Sequence, residues 1–419
     1  MISQLRYAAP LTADPLPPAE LAERLRLVAA ALRFFDFHAA RHAVERAAAD
    51  TGDAEALFQA GYELIEIGLD QLAVGALAQA LAIAPDATTV LELSAALSNS
   101  WCYGEAAKLL ATAPGGMDES VLVRALYAHN VAMTGDFAAV AAVLPRLEPD
   151  EQTAALVAMA HDRYARYAAL SGRLAGGDLR TWELTLHGTL VLTAADFGED
   201  DMNGRFGALW ESPVAFAGTL AALETVLAGE KRTPVAIAYS PDRDSEILAR
   251  TLARHLSLSA APITETTPRS ETLVVAYEWP GQAPDALAAW SEVPGATLYG
   301  HVLDWTSNCW PAPDVAGMEA QYVYPPWSQR MRLVPGSEEP GEERRTEMIP
   351  ADNRTAPEIA ADLAGQINLS LLTEDERAGL AQAQELLRVL RTAGARCGLL
   401  TGSRQVFYAG GPVTSSRFI

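Results

Sequence analysis

The segment Ser240-Pro241-Asp242-Arg243-Asp244-Ser245 gathers two carboxylates, a guanidinium and two hydroxyls in six residues. It follows a short apolar run, Val235–Tyr239, and leads into a helical pattern from about Asp242 to Leu256, which places it at a strand-to-helix junction. Free N–H groups at such a helix start suit an anion, whereas paired carboxylates suit a divalent cation. Proline and aspartate at that point are equally the ordinary chemistry of a helix beginning. Two further apolar runs, Thr272–Tyr277 and Ala296–Leu303, are each followed by an acid and a tryptophan, Glu278-Trp279 and Asp304-Trp305. If the three runs are parallel strands, their carboxyl ends bring these residues to one edge of a sheet, where open α/β folds bind ligands. The candidate ligand site is therefore Ser240, Asp242, Arg243, Asp244, Ser245, Glu278, Trp279, Asp304 and Trp305, and a small anion is the expected ligand class.

The surrounding pattern alternates strands with helices and predicts an α/β domain over residues 177–419 with a mainly parallel sheet. Leu184–Ala194 reads as a strand, Pro213–Ala228 and Ala283–Trp290 as helices, and Pro335–Arg345 as a loop. Ala356–Ser370 and Thr373–Thr392 read as helices, the second opened by Thr373 and Glu376 at capping-box spacing. Cys397–Ala409 has the form of a hairpin turning at Gly402-Ser403. Asp242-Arg243-Asp244 resembles the DxD segment of nucleotide-sugar glycosyltransferases, a resemblance that implies Mg²⁺ or Mn²⁺ and a transferase as the alternative function. The same strand–helix run loosely resembles a phosphoribosyltransferase-like fold, although the adjacent acids and Gly-Thr phosphate loop of that family are missing. No Walker loop, GxGxxG, GxSxG or HExxH occurs. No metal site is assigned: His38 and His42 have ligand spacing but lack the accompanying glutamate. Cys309 has no neighbouring base, and Tyr322, Tyr324 and Trp327 are read as core.

Ahead of this domain, Leu21–Pro149 reads as successive helix pairs. The clearest unit spans Ala54–Pro85, with Leu57, Ala60 and Gly61 on its first helix, Gly68 at the turn, and Ala73, Leu77 and Ala80 on its second. Ala40, Ala73, Ala107 and Val140 recur at spacings of 73−40 = 33, 107−73 = 34 and 140−107 = 33. Val44, Leu77, Ala111 and Leu144 form a parallel set, as do Val28, Gly61, Ala95 and Ala128. This pattern resembles the tetratricopeptide repeat, with a period of about 34 residues. Phe35 stands where the first unit's turn glycine is expected, and Ala113-Pro114-Gly115-Gly116 shortens the third unit. The resemblance implies an α-solenoid over residues 20–176, preceded by an extension at 1–19 and capped by a helix within Glu151–Leu174.

In such a stack the first helix of each pair lines a groove. Glu55, Phe58, Tyr62, Ile65, Glu92, Asn99 and His129 are placed on that wall. The family's basic carboxylate clamp has no counterpart here, so the expected partner is a basic or amphipathic protein segment. The fold class is thus α + α/β, and the function read from it is a protein-binding adaptor.

Composition sets the outer bounds. Half of the 419 residues are hydrophobic and the net charge is −22, which supplies cores and repels nucleic acid and anionic membrane surfaces. Cys102, Cys309 and Cys397 are odd in number and widely spaced, which fits a reducing compartment. Met1–Pro10 lacks a signal-peptide core, and Leu72–Pro85 is too short to span a bilayer. A cytoplasmic protein with no resident cofactor identified is the expectation.

Overall fold

The computed structural model describes residues 14–112, 117, 120–174, 178–193, 195–196, 203–280, 285–333 and 346–413. The predicted features at Met1–Pro10, Ala113–Gly116, Gly176-Gly177 and Pro335–Arg345 lie outside the described residues. The chain forms two compact units, Met1–Tyr164 and Ala165–Phe418.

The first unit is helical: α1 Pro18–Leu32, α2 His38–Ala49, α3 Ala54–Glu66, α4 Asp70–Ile83, α5 Ala87–Asn99, α6 Tyr103–Thr112, α7 Val121–Met133 and α8 Phe137–Val143. A ninth helix, α9 Ala154–Leu170, contains the division between the units. Each helix packs on the next from α1 to α8, and α3 also touches α5. The helices within each pair are joined through a residue of positive φ: Asp36 at 57°, Gly68 at 71°, Trp101 at 63° and Gly135 at 83°. Their spacings are 68−36 = 32, 101−68 = 33 and 135−101 = 34. Only two of the four are glycine, so the period of the turns is hidden in the sequence. In the first pair Phe35 ends a 3₁₀ turn and Asp36 takes the left-handed conformation instead.

The starts of α3, α5 and α7 recur in the same way. Asp53, Asp86 and Ser120 each accept a backbone N–H from the first turn, from Ala56, Thr89 and Val123, a cap worth about 1 kcal/mol. Ala40, Ala73, Ala107 and Val140 are all buried. Gly61 lets α3 lie close on α4, because a Cβ there would come within 2.4 Å of Leu77 Cγ. The parallel set is less regular: Val44 and Leu77 are buried, Leu144 is half-buried and Ala111 is exposed.

The second unit contains α10 Leu179–Leu186, α11 Pro213–Gly229, α12 Arg243–Leu256, α13 Asp285–Ser291, α14 Ala356–Ala364, α15 Glu374–Ala393 and α16 Gly398–Thr401. Its strands are β1 Leu190–Val191, β2 Ala195–Asp196, β3 Asn203–Gly204, β4 Phe206–Trp210, β5 Ala236–Tyr239, β6 Ala260–Pro262, β7 Thr272–Trp279, β8 Thr297–Leu303, β9 Val315–Tyr324, β10 Arg330–Leu333 and β11 Thr346–Ile349. A parallel sheet runs β1-β9-β8-β7-β5-β6, and β4 pairs with the far end of β9. Every residue of β5 and β8 is buried, as expected of a parallel sheet covered on both faces. The small pairs β2–β3 and β10–β11 are antiparallel.

Several predicted elements differ. Leu184–Ala194 is not one strand: Asp178 caps a helix through Leu186, Gly188 turns the chain at φ 74°, and among the described residues of that run only Leu190–Val191 forms a strand. Ala356–Ser370 stops being α-helical after Ala364 and ends in a 3₁₀ turn at Leu369–Leu371. The Cys397–Ala409 hairpin is absent, because Gly398–Thr401 is a helical turn and Phe407 instead bridges Cys309. The capping box at Thr373 and Glu376 is present. No helix among the described residues is long and apolar enough to cross a membrane.

Candidate functional site

Strands β5, β7 and β8 are parallel neighbours, so their carboxyl ends lie on one edge as the sequence suggests. Glu278 and Trp279 belong to β7 itself rather than to the loop after it. Most of the predicted residues there have structural partners. Asp242 caps α12, accepting from Ser245 N at 2.8 Å, so the helix start already holds a carboxylate where an anion would sit. Ser245 is fully buried and its hydroxyl accepts from Tyr277 N at 2.9 Å. Asp244 accepts from the Trp327 indole at 2.6 Å, and Arg243 donates to the carbonyls of Asp352 and Arg354. Ser240 caps nothing; its N–H donates to Val275 O. Trp279 and Trp305 are core residues, at 3% and 1% exposure, and the Trp279 indole donates to Pro311 O. Asp304 closes a local turn by accepting from Thr306 N and Oγ1.

Electrostatically this edge is acidic. Partial burial, followed by the negative charges of Asp244, Asp242 and Asp304, holds the Glu278 carboxyl above its usual range. Trp210 and Tyr324 end β4 and β9 on the same edge, stacked with ring centroids 4.7 Å apart and about half exposed. Tyr322, read as core, is also exposed. Clustered carboxylates attract cations and repel anions.

Beneath this edge lies a buried polar chain that the sequence reading missed. Tyr277 donates to Glu211 Oε2 at 2.6 Å, His301 Nε2 meets Glu211 Oε1 at 2.8 Å, and Tyr299 meets His301 Nδ1 at 2.7 Å. Phe216 and Trp327 pack on these rings. Burial, and then Glu211, pushes both tyrosine phenols well above their ordinary value. A consistent proton arrangement has His301 donating from Nε2 and accepting the Tyr299 hydroxyl at Nδ1.

A second missed cluster centres on Arg205, which is fully buried between two carboxylates. Its Nη2 contacts Glu183 Oε1 at 2.6 Å and its Nε contacts Glu319 Oε2 at 2.7 Å. The same guanidinium donates to the carbonyls of Val413 and Gly410. Tyr408 N–H donates to His187 Nε2, which leaves the His187 proton on Nδ1 to donate to Glu183 Oε2 at 2.6 Å. Glu319 Oε1 has no hydrogen-bond partner among the described residues. Burial and then Glu183 outweigh Arg205 and raise the Glu319 carboxyl to about 8. A protonated Glu319 leaves one carboxylate for one guanidinium, so the cluster is neutral at neutral pH. The signal for both clusters was a charged or imidazole side chain inside an apolar strand, as His301 and Glu319 are.

In the first unit, Glu55 is exposed, Phe58 stacks on Tyr62 with centroids 6.4 Å apart, and Ile65 is half-buried. Partial burial, followed by the charge of Glu66, raises the Glu92 carboxyl above its usual range, and the two acids lie on α3 and α5, which are in contact. Asn99 donates to Asp70 at 2.8 Å. His129 is not on this wall: it is 5% exposed, packs edge-on to Tyr103, and its Nδ1 accepts from the buried Arg163. Among the described residues no three His, Cys, Asp or Glu side chains converge as metal ligands. No family model, curated protein or solved structure matches this chain.

Proposed function

We propose that the protein is a binding scaffold whose first unit is a tetratricopeptide-like solenoid that grips a basic, amphipathic protein segment across α3 and α5. The observation that carries this reading is an acidic α3–α5 wall with an aromatic pair: the two helices touch, Glu66 helps to raise the Glu92 carboxyl, and Phe58 stacks on Tyr62 along α3. The recurring turns at 36, 68, 101 and 135 support the repeat. A lysine or arginine seated between the two acids relieves their repulsion, and the aromatic pair takes an apolar neighbour. For the α/β unit, the acidic strand ends favour a cationic ligand over the anion expected from sequence. The transferase alternative gains nothing from the DxD segment, since one carboxylate caps α12 and the other accepts from Trp327.

The test is titration of a labelled basic amphipathic peptide, with an acidic peptide of equal length as control. The double variant Glu66→Lys/Glu92→Lys is expected to weaken binding at least tenfold, about 1.4 kcal/mol or more. Phe58→Ala is expected to weaken it with less change in salt dependence. Equal affinity for both peptides in the wild type would refute the reading.

A further inference from the structure

The first unit is strongly asymmetric in charge. Between Arg46 and Lys108 there is no lysine or arginine, and the acids are Asp50, Asp53, Glu55, Glu63, Glu66, Asp70, Asp86, Glu92 and Glu105. Helices α1 and α2 with the turn between them instead carry five arginines, at 24, 26, 33, 41 and 46, against acids at 20, 23, 36 and 45. Arg24 is tied to Glu20, and Arg41 lies near Glu45. Arg26 and Arg33 are exposed and have no carboxylate partner among the described residues.

These two arginines line a cavity of about 720 Å³ on the α1–α2 pair, together with Phe34, Glu45 and small alanines. Phe34 is 86% exposed and Leu27 is 67% exposed, the two most exposed large apolar side chains among the described residues. Large apolar groups held open beside unpaired cations mark an interaction face rather than a solvated one.

We propose that this basic, aromatic α1–α2 face docks into the acidic α3–α5 groove of a second copy of the chain. Arg26 and Arg33 then face Glu66 and Glu92, and Phe34 meets the Phe58–Tyr62 stack. The inference deepens the groove reading above and rests on it, naming the basic partner segment as the protein's own first helix pair. The two faces are different surfaces of one chain, so the contact is head-to-tail, and each added copy leaves one face of each kind open. Attraction between exposed charges weakens with ionic strength, so the assembly dissociates in high salt.

Sedimentation velocity on the full chain tests this across a concentration series at low and high salt. The wild type is expected to sediment faster with rising concentration at low salt and to remain monomeric at high salt. Arg26→Glu/Arg33→Glu retains only the groove and Glu66→Lys/Glu92→Lys retains only the basic face, so each alone stays monomeric. Their equimolar mixture forms a one-to-one dimer and nothing larger, provided circular dichroism shows both folded. A wild type that is monomeric throughout, or association undiminished in both variants, overturns the proposal. If the wild type binds the basic peptide but never self-associates, only this inference falls. If it does neither, the groove reading falls with it.

Discussion

Arg205→Ala is expected to destabilise the α/β unit by about 3–5 kcal/mol, the range for removing one partner of a buried charge network. The guanidinium is fully buried and meets Glu183, Glu319 and two carbonyls of the segment 410–413. Its loss strands a buried carboxylate and frees the 410–413 segment that it holds. Urea unfolding followed by tryptophan fluorescence reads the effect, since seven of the 8 tryptophans lie beyond residue 177. Adding Glu183→Gln to Arg205→Ala should restore part of the loss, because it removes the carboxylate that the missing guanidinium leaves unpaired, and effects within one network do not add.

The pH dependence follows from the same cluster. Glu319 titrates at about 8 when folded against an ordinary value of 4.5. The folded state therefore holds a proton that the unfolded state has released between those values, and stability falls as pH rises from about 4.5 to about 8. Glu319→Gln keeps the neutral hydrogen-bonding form and is expected to flatten that slope. A slope unchanged in the variant would show that another group carries it.

The second large effect is expected at Gly317 on β9. A Cβ there would lie 2.4 Å from the His301 carbonyl oxygen and 2.8 Å from the Tyr299 hydroxyl. The first is backbone of the neighbouring strand and cannot swing aside, so Gly317→Ala should cost about 1–3 kcal/mol through overpacking. The displaced Tyr299 hydroxyl should also lose its bond to His301. A melting temperature equal to wild type would contradict the close approach of β8 and β9 at Gly317.

The helical half was readable because amphipathic helices and small packing residues carry a period that survives substitution, as Ala40, Ala73, Ala107 and Val140 do. Its turns were not, since Asp36 and Trp101 adopt left-handed backbone without being glycine. In the α/β half, β5, β7 and β8 were legible as short apolar runs. Strand β9 was missed although it joins β1, β4 and β8, because Glu319 and Gln321 interrupt its apolar pattern. The candidate ligand edge was located by strand order alone. The roles of its residues were not, because a cap such as Asp242 or a hydrogen-bonded core hydroxyl such as Ser245 looks the same in sequence as a ligand-binding group. The chain Tyr277–Glu211–His301–Tyr299 draws its members from three strand regions, so no local window reveals it.

The central claim is that partner binding belongs to the α3–α5 wall. Amide hydrogen exchange on the full chain, with and without the basic amphipathic peptide, tests it most directly. The account predicts slowed exchange in residues 54–66 and 87–99, with that protection abolished by Glu66→Lys/Glu92→Lys. Protection confined to the α/β unit, or unchanged in the double variant, would contradict it.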